Sequence, residues 1–290
     1  RRQLVKDLET GPTDPPLSGD VAAWLADVED HVERALRERD TATATQLAAD
    51  EPRLQTAQLP TTDKAYDIRR NITTRVLTLM GTEGRIVRGR PRGSWTSRHH
   101  TWQTAQAWWP DGIPDIAADE ARATLARRWL EAFGPATVAD LQWWTGWTLG
   151  HTRAALAELA TSEVDLDGVA GIVLADDVEP EAPVPSAPAL LPALDPTPMG
   201  WQQRDWYLGP HKERLFDRNG NVGPTVWWGG RIVGGWATRR SGEIVWRGLE
   251  DVGADATAAI DAAAATLESR LGGTAVVPSF RTPLERELSG

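Results

Sequence analysis

Two stretches of this chain share one order of predicted elements, in which three helices precede a β-hairpin. In the first stretch, Ser18 or Asp20 can cap a helix with one continuous apolar face, and a short second segment follows it. After an extended part that holds two prolines, a third helix is predicted at 71–80. Strand-like runs at 85–88 and 96–103 then flank a tip that contains glycine and proline. Three helices and a hairpin are the winged-helix order.

The same order recurs further along the chain. Helices are predicted at 118–133, from a cap at Thr137, and at 149–160. Gly146 lies between the second and third of these helices, where helix-turn-helix motifs often place a glycine. A hairpin that turns at Asp167-Gly168 closes the set. The pattern predicts an α+β protein with tandem winged helix-turn-helix units.

The 3.6-residue period of each predicted helix identifies the side chains that face a core. The predicted inward positions of the first stretch are Leu4, Val5, Leu8, Val21, Trp24, Leu25, Val28, Val32, Leu36, Leu47, Ile72, Val76, Leu79 and Met80. Those of the second stretch are Leu125, Trp129, Leu130, Phe133, Val138, Leu141 and Trp144. Most of the fifteen tryptophans are expected in cores or interfaces, because their large apolar area is costly to leave in water.

The chain divides into five predicted segments. An acidic, proline-containing stretch is predicted to be a linker. Beyond it, strand-like runs, an alanine-rich helix, a last strand and a short helix predict a small β-barrel-like α+β domain. The predicted boundaries are 1–17 for the end of an N-terminal unit and a loop, 18–112 for a basic winged helix, 113–178 for an acidic winged helix, 179–189 for the linker and 190–290 for the C-terminal β-rich domain.

Composition excludes several classes of function. The chain has no cysteine, and its five histidines lack paired metal-ligand spacing, so neither a disulfide framework nor a metal site is expected. No window approaches the roughly 18 apolar residues that span a bilayer. The start Arg1-Arg2-Gln3 does not resemble a secretory signal, so we expect a cytoplasmic protein. No nucleophile or acid–base pair stands out, so we predict no cofactor and assign no catalytic residue.

Positive charge is concentrated in one segment of a negative chain. The net charge is −10, yet residues 69–98 hold eight arginines and one acid, for a net charge of +7. On a predicted recognition helix and wing, this segregation is typical of phosphate binding, whereas a solvated basic face is the alternative. We expect Trp95, at the wing tip, to contact nucleic acid. The predicted DNA-binding residues are Arg70, Asn71, Thr74, Arg75, Arg85, Arg88, Arg90, Arg92, Ser94, Trp95, Thr96 and Arg98.

The second predicted winged helix has the opposite charge. Residues 149–177 contain one arginine and six acids, for a net charge of −5. Phosphates would repel such a recognition helix and wing, so this unit is predicted to pack on its neighbours or to position the first unit. The polar segments 202–205 and 218–221 are either edges of a DNA channel or ordinary loops.

Four segments resemble the bacterial winged-helix DNA-binding family of AlkZ/YcaQ type. They are GRIVRGRPRGSWTS at 84–97, ATVADLQWWTG at 136–146, LPALDPTPMGW at 191–201 and RTPLER at 281–286. The resemblance implies tandem winged helices and a C-terminal β-barrel that form a C-shaped DNA channel. It also implies a DNA glycosylase that excises alkylated purines or unhooks interstrand crosslinks.

In this family, a Gln-x-Gln or Gln-x-Asp motif in the first winged helix holds the water that attacks the sugar. We expect this chain to lack the motif, because the pairs Gln55 with Gln58 and Gln103 with Gln106 are each three residues apart. The chain begins without Met and inside a helical pattern, so an N-terminal portion that carries the motif is expected before Arg1.

The leading hypothesis is therefore a crosslink-repair glycosylase whose partner is double-stranded DNA, alkylated or crosslinked, and which is a nucleoid-associated monomer. A transcription regulator is the second hypothesis, and it requires sequence-specific contacts from Asn71 and Thr74. A winged-helix protein-interaction module is the third, and the acidic second unit favours it.

Overall fold

The structure is a computed structural model that describes residues 1–64, 67–179, 182 and 184–290. It divides into two compact units, Arg1–Asp115 and Ile116–Gly290. Both units contain helices and antiparallel strands, so the predicted α+β class is confirmed. No helix in these described ranges is both long and apolar enough to cross a membrane.

Within its described residues, the first unit holds five α-helices and six strands. Its elements are α1 (Arg2–Thr10), β1 (Thr13–Asp14), α2 (Val21–Arg39), β2 (Ala42–Thr43), α3 (Ala44–Asp50), β3 (Ala57–Gln58), β4 (Arg70–Asn71), α4 (Thr73–Thr82), β5 (Ile86–Pro91), β6 (His100–Thr104) and α5 (Ala105–Trp108). Of the two predicted caps, Ser18 and Asp20, it is Asp20 that caps α2, by accepting a hydrogen bond from the Ala23 amide. Strand β6 lies between β2 and β5, so the hairpin is tied by β2 to the loop between α2 and α3.

One core holds this unit together. The apolar faces of α1, α2, α3 and α4 meet around Leu25, Val28 and Leu47, which are fully buried. The predicted inner faces of α1 and α2 are confirmed, with Val5 and Trp24 packed at the edge of the core. Burying one such leucine or valine contributes roughly 1.5–3 kcal/mol, so this core fixes the base of the hairpin.

The third helix is shorter than predicted. It begins at Thr73, because Arg70 and Asn71 form β4 and pair with Gln58 and Ala57 of β3. The expectation that Arg70 and Asn71 lie on the exposed face of a recognition helix is therefore wrong. The inner face of α4 also differs slightly, since Leu77 is buried and Leu79 is only half-buried.

The second unit holds seven helices and six strands in the part of the chain that the structure describes. They are α6 (Ala118–Phe133), α7 (Val138–Thr145), α8 (Leu149–Ala157), β7 (Thr161–Leu166), β8 (Val169–Leu174), β9 (Pro188–Leu191), α9 (Asp205–Leu208), α10 (Lys212–Leu215), β10 (Thr225–Trp228), β11 (Arg231–Thr238), β12 (Ile244–Gly248), α11 (Ala254–Leu271) and α12 (Pro283–Ser289).

The first half of this unit repeats three helices and a hairpin. Gly146 ends α7 with φ of +69°, a conformation that favours glycine, and the β7–β8 turn has positive φ at Asp167 and Gly168. Two predicted core positions are wrong: Leu125 and Trp144 are each 39% exposed. Trp144 instead contacts the rings of Trp129 and Phe133 from the edge of the core.

The C-terminal half is an open four-stranded antiparallel sheet with the order β12-β11-β10-β9. Helix α11 covers one face, where Val226 and Val233 pack against Ile260. On the other face, Tyr207 and Trp227 pack with α12. Because β9 and β12 are both edges, the predicted barrel-like closure is wrong. The predicted last strand is also wrong, since the described residues 274–282 form no strand.

The predicted linker falls partly outside the described residues, which omit Pro180, Glu181 and Pro183. Its last two positions, Pro188 and Ala189, form part of β9 and pair with Trp228 and Trp227.

Candidate nucleic-acid interface

Four arginines lie free on the hairpin of the first unit. We call β5, β6 and the tip between them, residues 86–104, the arginine hairpin. Arg88 and Arg90 lie on β5, and Arg92 and Arg98 lie in the tip. All four are exposed, and among the described residues no carboxylate lies within 4.0 Å of their guanidinium groups. The hairpin therefore presents four uncompensated positive charges to solvent.

Two other arginines of the basic segment 69–98 are paired with carboxylates from distant parts of the chain. Arg69 contacts Asp14 at 2.7 Å, and Arg75 contacts Asp7 at 2.6 Å. The hydrogen bond from Arg75 lowers the pKa of Asp7, so this carboxylate stays charged. Such pairing reduces the attraction of these arginines for phosphate. Arg70 is exposed on β4.

Arg85 anchors the base of the arginine hairpin. Its guanidinium contacts Glu33 and Asp30 at 2.7 Å each and Glu29 at 3.2 Å. Glu29 is fully buried on α2 and also accepts from Arg1 at 2.7 Å. A buried carboxylate is costly unless cations balance it, so this cluster fixes β5 to α2. The prediction that Arg85 contacts DNA does not fit this position, because three carboxylates of the same unit already neutralise its charge.

The tip of the arginine hairpin is ordered by its own hydrogen bonds. The Ser94 hydroxyl lies 2.9 Å from that of Thr96 and accepts from the Thr96 amide at 3.2 Å. The Arg92 amide donates to the His99 carbonyl at 2.8 Å, which closes the tip. Trp95 lies between the two hydroxyl residues and is 61% exposed. An indole so exposed on an ordered tip is available to a partner.

A glycine at position 89 lets the two strands of the hairpin approach closely. A Cβ atom there would lie 2.7 Å from the Thr101 hydroxyl, closer than ordinary contact. The Thr101 hydroxyl donates to the Arg90 carbonyl at 3.1 Å, and the strand register shifts between Arg88 and Pro91. The shift is a β-bulge, a feature that redirects side chains and increases twist.

Helix α4 contributes fewer polar groups than predicted. Thr74 and Thr78 are exposed on one face of α4, and Asn71 is exposed on β4 just before it. Arg75 is half-buried, and it also donates to Gln58. The structure therefore brings Arg88, Arg90, Arg92, Arg98 and Trp95 together on one hairpin. It gives the predicted recognition helix only short hydroxyl side chains.

The hairpin of the second unit presents the opposite charge. We call β7, β8 and their turn, residues 161–174, the acidic hairpin. Glu163, Asp165 and Asp167 lie on its first strand and turn, and all three are exposed. Asp165 accepts from the Gly168 amide at 3.0 Å, which stabilises the turn. No cation lies on residues 161–174, so this hairpin has no group for a phosphate.

The comparisons with known proteins agree with this architecture. A sequence profile described as DNA glycosylase AlkZ-like matches residues 2–270. The chain belongs to the AlkZ-like DNA glycosylase family. The family resemblance predicted from the four sequence segments is thus confirmed. No match was found among curated proteins.

A solved structure supports the fold of this AlkZ-like chain. It is similar to the Streptomyces sahachiroi DNA glycosylase AlkZ, with a TM-score of 0.63 and 23% sequence identity. The match covers 88% of this chain and 68% of that one. At this identity the likeness establishes the fold, and the roles of individual residues rest on their own geometry.

The sequence prediction overlooked one occurrence of the Gln-x-Asp spacing of the AlkZ/YcaQ motif. Gln203 and Asp205 have this spacing, although they lie beside α9 in the second unit and not in a winged helix. Both side chains are exposed. The backbone amides of Gln202 and Gln203 donate to the buried carboxylate of Asp140, at 2.9 and 3.2 Å. These contacts fix the loop to α7. The conformation of the loop is therefore explained without assigning a catalytic role to Gln203 or Asp205.

Proposed function

We propose that this protein binds double-stranded DNA through the arginine hairpin, as part of a glycosylase that excises alkylated purines or unhooks interstrand crosslinks. The observation that carries the proposal is the set of four unpaired, exposed arginines on one ordered hairpin of a chain with net charge −10. Family membership supports the reaction class.

The proposed contacts divide between phosphates and a groove. Arg88, Arg90, Arg92 and Arg98 bind phosphate oxygens, since guanidinium groups match phosphates with charge and paired donors. Trp95 inserts from the tip into the minor groove, where apolar side chains of other proteins partly unstack base steps. The hydroxyls on α4 and at the tip add neutral hydrogen bonds. Arg69, Arg75 and Arg85 contribute less, because carboxylates already neutralise them.

The proposed reaction needs little acid catalysis from the protein. An alkylated purine carries positive charge and is therefore a good leaving group when its N-glycosidic bond breaks. Water then adds to the sugar carbon, and an abasic site remains in the DNA. In this proposal, the hairpin's task is to hold the duplex so that the damaged nucleotide meets the reacting water.

Salt dependence tests the DNA contact. Each neutralised phosphate of a duplex lowers the slope of log K against log salt by about 0.9, so four contacts predict a slope near −3.6. Replacing Arg88, Arg90 and Arg92 by alanine should flatten the slope by about 2.7, measured by fluorescence anisotropy with a random duplex. The matching lysine triple keeps the charge and should keep most of the slope. An unchanged slope in the alanine triple refutes the assignment.

Abasic-site formation tests the reaction. The protein is incubated with a duplex that carries one N7-alkylated guanine, and mild alkali then cleaves the strand at any abasic site. We expect cleavage with the full-length protein that includes the Gln-x-Gln or Gln-x-Asp motif, and much less with the alanine triple made in the same full-length protein. Equal cleavage by both proteins would show that the hairpin does not position the substrate. A strong preference for one undamaged sequence over random DNA would instead indicate a transcription regulator.

A further inference from the structure

An open cavity of about 930 Å³ lies in the C-terminal half of the second unit, beside α10 and α12. Its wall includes four cations and two acids. One of the cations, Arg281, is already paired within the protein, because it contacts Glu285 at 2.6 and 2.9 Å and also binds Ser289. Glu285 is only 3% exposed, so this pair belongs to the core of the unit.

The other three cations of the wall are uncompensated. Lys212, Arg218 and Arg286 are exposed, and within the described ranges no carboxylate lies within 4.0 Å of their charged groups. They come from α10, from the turn after it and from α12, so three separate segments bring them to one cavity. Convergence of unpaired cations on a concave surface favours an anionic ligand.

The turn that carries Arg218 is held rigid by Asp217. One carboxylate oxygen of Asp217 accepts from the Asn219 and Asn221 amides at 2.8 and 2.9 Å, and the other accepts from the Asn221 side chain at 2.8 Å. The side-chain hydrogen bond from Asn221 lowers the pKa of Asp217. Gly220 completes the turn with φ of +86°. Arg218 therefore projects from a preformed loop, which reduces the entropy lost on binding.

An exposed aromatic ring completes the cavity. Phe280 lines the cavity and is 44% exposed, so its ring is accessible to a ligand. The hydroxyl of Ser279 and the amide of Asn219 lie on the same wall. Cations that follow a phosphate backbone, beside a ring that can stack on a base, are the combination found in sites for single-stranded nucleic acid.

We propose that this cavity binds a segment of single-stranded DNA. Lys212, Arg218 and Arg286 contact its phosphodiesters, and Phe280 stacks on an unpaired base. An intact duplex keeps its bases stacked inside the helix, so it cannot use the ring in this way. The site uses none of the residues of the arginine hairpin, and it goes beyond the duplex binding proposed above.

The test measures binding of a fluorescein-labelled oligothymidylate of about 10 nucleotides, a length within the range that single-strand sites cover. All proteins carry Arg88, Arg90, Arg92, Trp95 and Arg98 to alanine, so that the arginine hairpin does not contribute. Three phosphate contacts predict a salt slope near −2, at about −0.7 for each contact with a single strand. Arg218→Ala with Arg286→Ala should flatten the slope by about 1.4, and Phe280→Ala should weaken binding about tenfold.

Matched controls separate the cavity from general charge. Arg240→Ala with Arg270→Ala removes two exposed arginines of the same unit that do not line the cavity, and should leave the slope unchanged. Phe280→Trp keeps a stacking ring and should retain binding. Equal effects of the two arginine pairs, or no effect of Phe280→Ala, would overturn the proposal. Competition by inorganic phosphate as strong as that by the oligonucleotide would also overturn it, because the cavity would then be a general anion site.

Discussion

The two hairpins of this protein have the same architecture and opposite charge. Each follows three helices, but the arginine hairpin presents four free cations, and the acidic hairpin presents carboxylates with no cation on its strands. A shared fold therefore does not predict a shared ligand. A hairpin can bind phosphate only if its cationic side chains are not already paired with carboxylates of neighbouring segments.

A second contrast lies within the first unit, between free and paired arginines. Arg88 and Arg85 are three residues apart, yet the first is exposed and unpaired and the second is held by three carboxylates of α2. We interpret the free arginines as contacts for DNA and Arg85 as an anchor of the hairpin.

Removing the free arginines should have the largest effect. We expect Arg88, Arg90 and Arg92 to alanine to weaken duplex binding roughly a hundredfold at low salt, because three phosphate contacts are lost. The control removes the same charge from ion-paired positions of the same unit, namely Arg39, Arg53 and Arg69. It should weaken binding less than threefold in the same anisotropy titration. Similar losses in both triples would mean that total charge, and not the hairpin, governs binding.

Removing the anchor should affect stability more than binding. Arg85→Ala leaves the buried Glu29 with Arg1 as its remaining cation, and one Glu29 oxygen has no hydrogen-bond partner among the described residues. We expect the free energy of unfolding to fall by about 2 kcal/mol, measured by urea denaturation. Arg88→Ala is the control and should change stability by less than about 0.5 kcal/mol. A larger stability loss in Arg88→Ala than in Arg85→Ala would reverse our assignment of the two residues.

Replacing the exposed indole of Trp95 should weaken duplex binding less than removing the arginines, and it should leave the salt dependence unchanged. We expect Trp95→Ala to weaken duplex binding about tenfold without changing the salt slope, since stacking or insertion involves no counterion. Trp95→Phe keeps an apolar ring and should recover most of the affinity. A flattened slope in Trp95→Ala would show that the substitution disturbs the arginines, and Trp95 would then lose its proposed role.

Neutralising the acidic hairpin should have the smallest effect. Glu163→Gln with Asp165→Asn removes two exposed negative charges from a hairpin that makes no proposed phosphate contact. We expect duplex affinity to change by at most about twofold at 0.15 M salt, where exposed charges are screened beyond about 8 Å. A tenfold gain would show that the acidic hairpin faces the DNA, and the contrast between the two hairpins would need another explanation.

Local patterns predicted much of the fold. The Asp20 cap, the apolar face of α2, the turn at Asp167-Gly168 and the alanine-rich helix α11 all follow from nearby residues, and all are observed. The predicted third helix wrongly includes Asn71, because the strand partner of Asn71, Ala57, lies more than ten residues earlier in the chain. Helix propensity carries no information about such pairing.

The site was predicted less completely, for the same physical reason. Sequence shows that arginines cluster, but only the folded chain shows which of them meet carboxylates. The partners of Arg75 and Arg85 lie 68 and up to 56 residues away along the chain. The sequence indicates 218–221 as a possible DNA edge but does not predict the cavity beside α12, because Arg286 is far from Arg218 along the chain. A distant pair of unpaired cations gives no local pattern.

Amide hydrogen exchange with and without duplex DNA tests the central claim most directly, because it follows both hairpins in one experiment. We predict that a random duplex slows exchange in the arginine hairpin, residues 86–104, and leaves exchange in the acidic hairpin, residues 161–174, unchanged. Slower exchange in the acidic hairpin, or no change in residues 86–104 under conditions where the duplex is bound, would contradict the account.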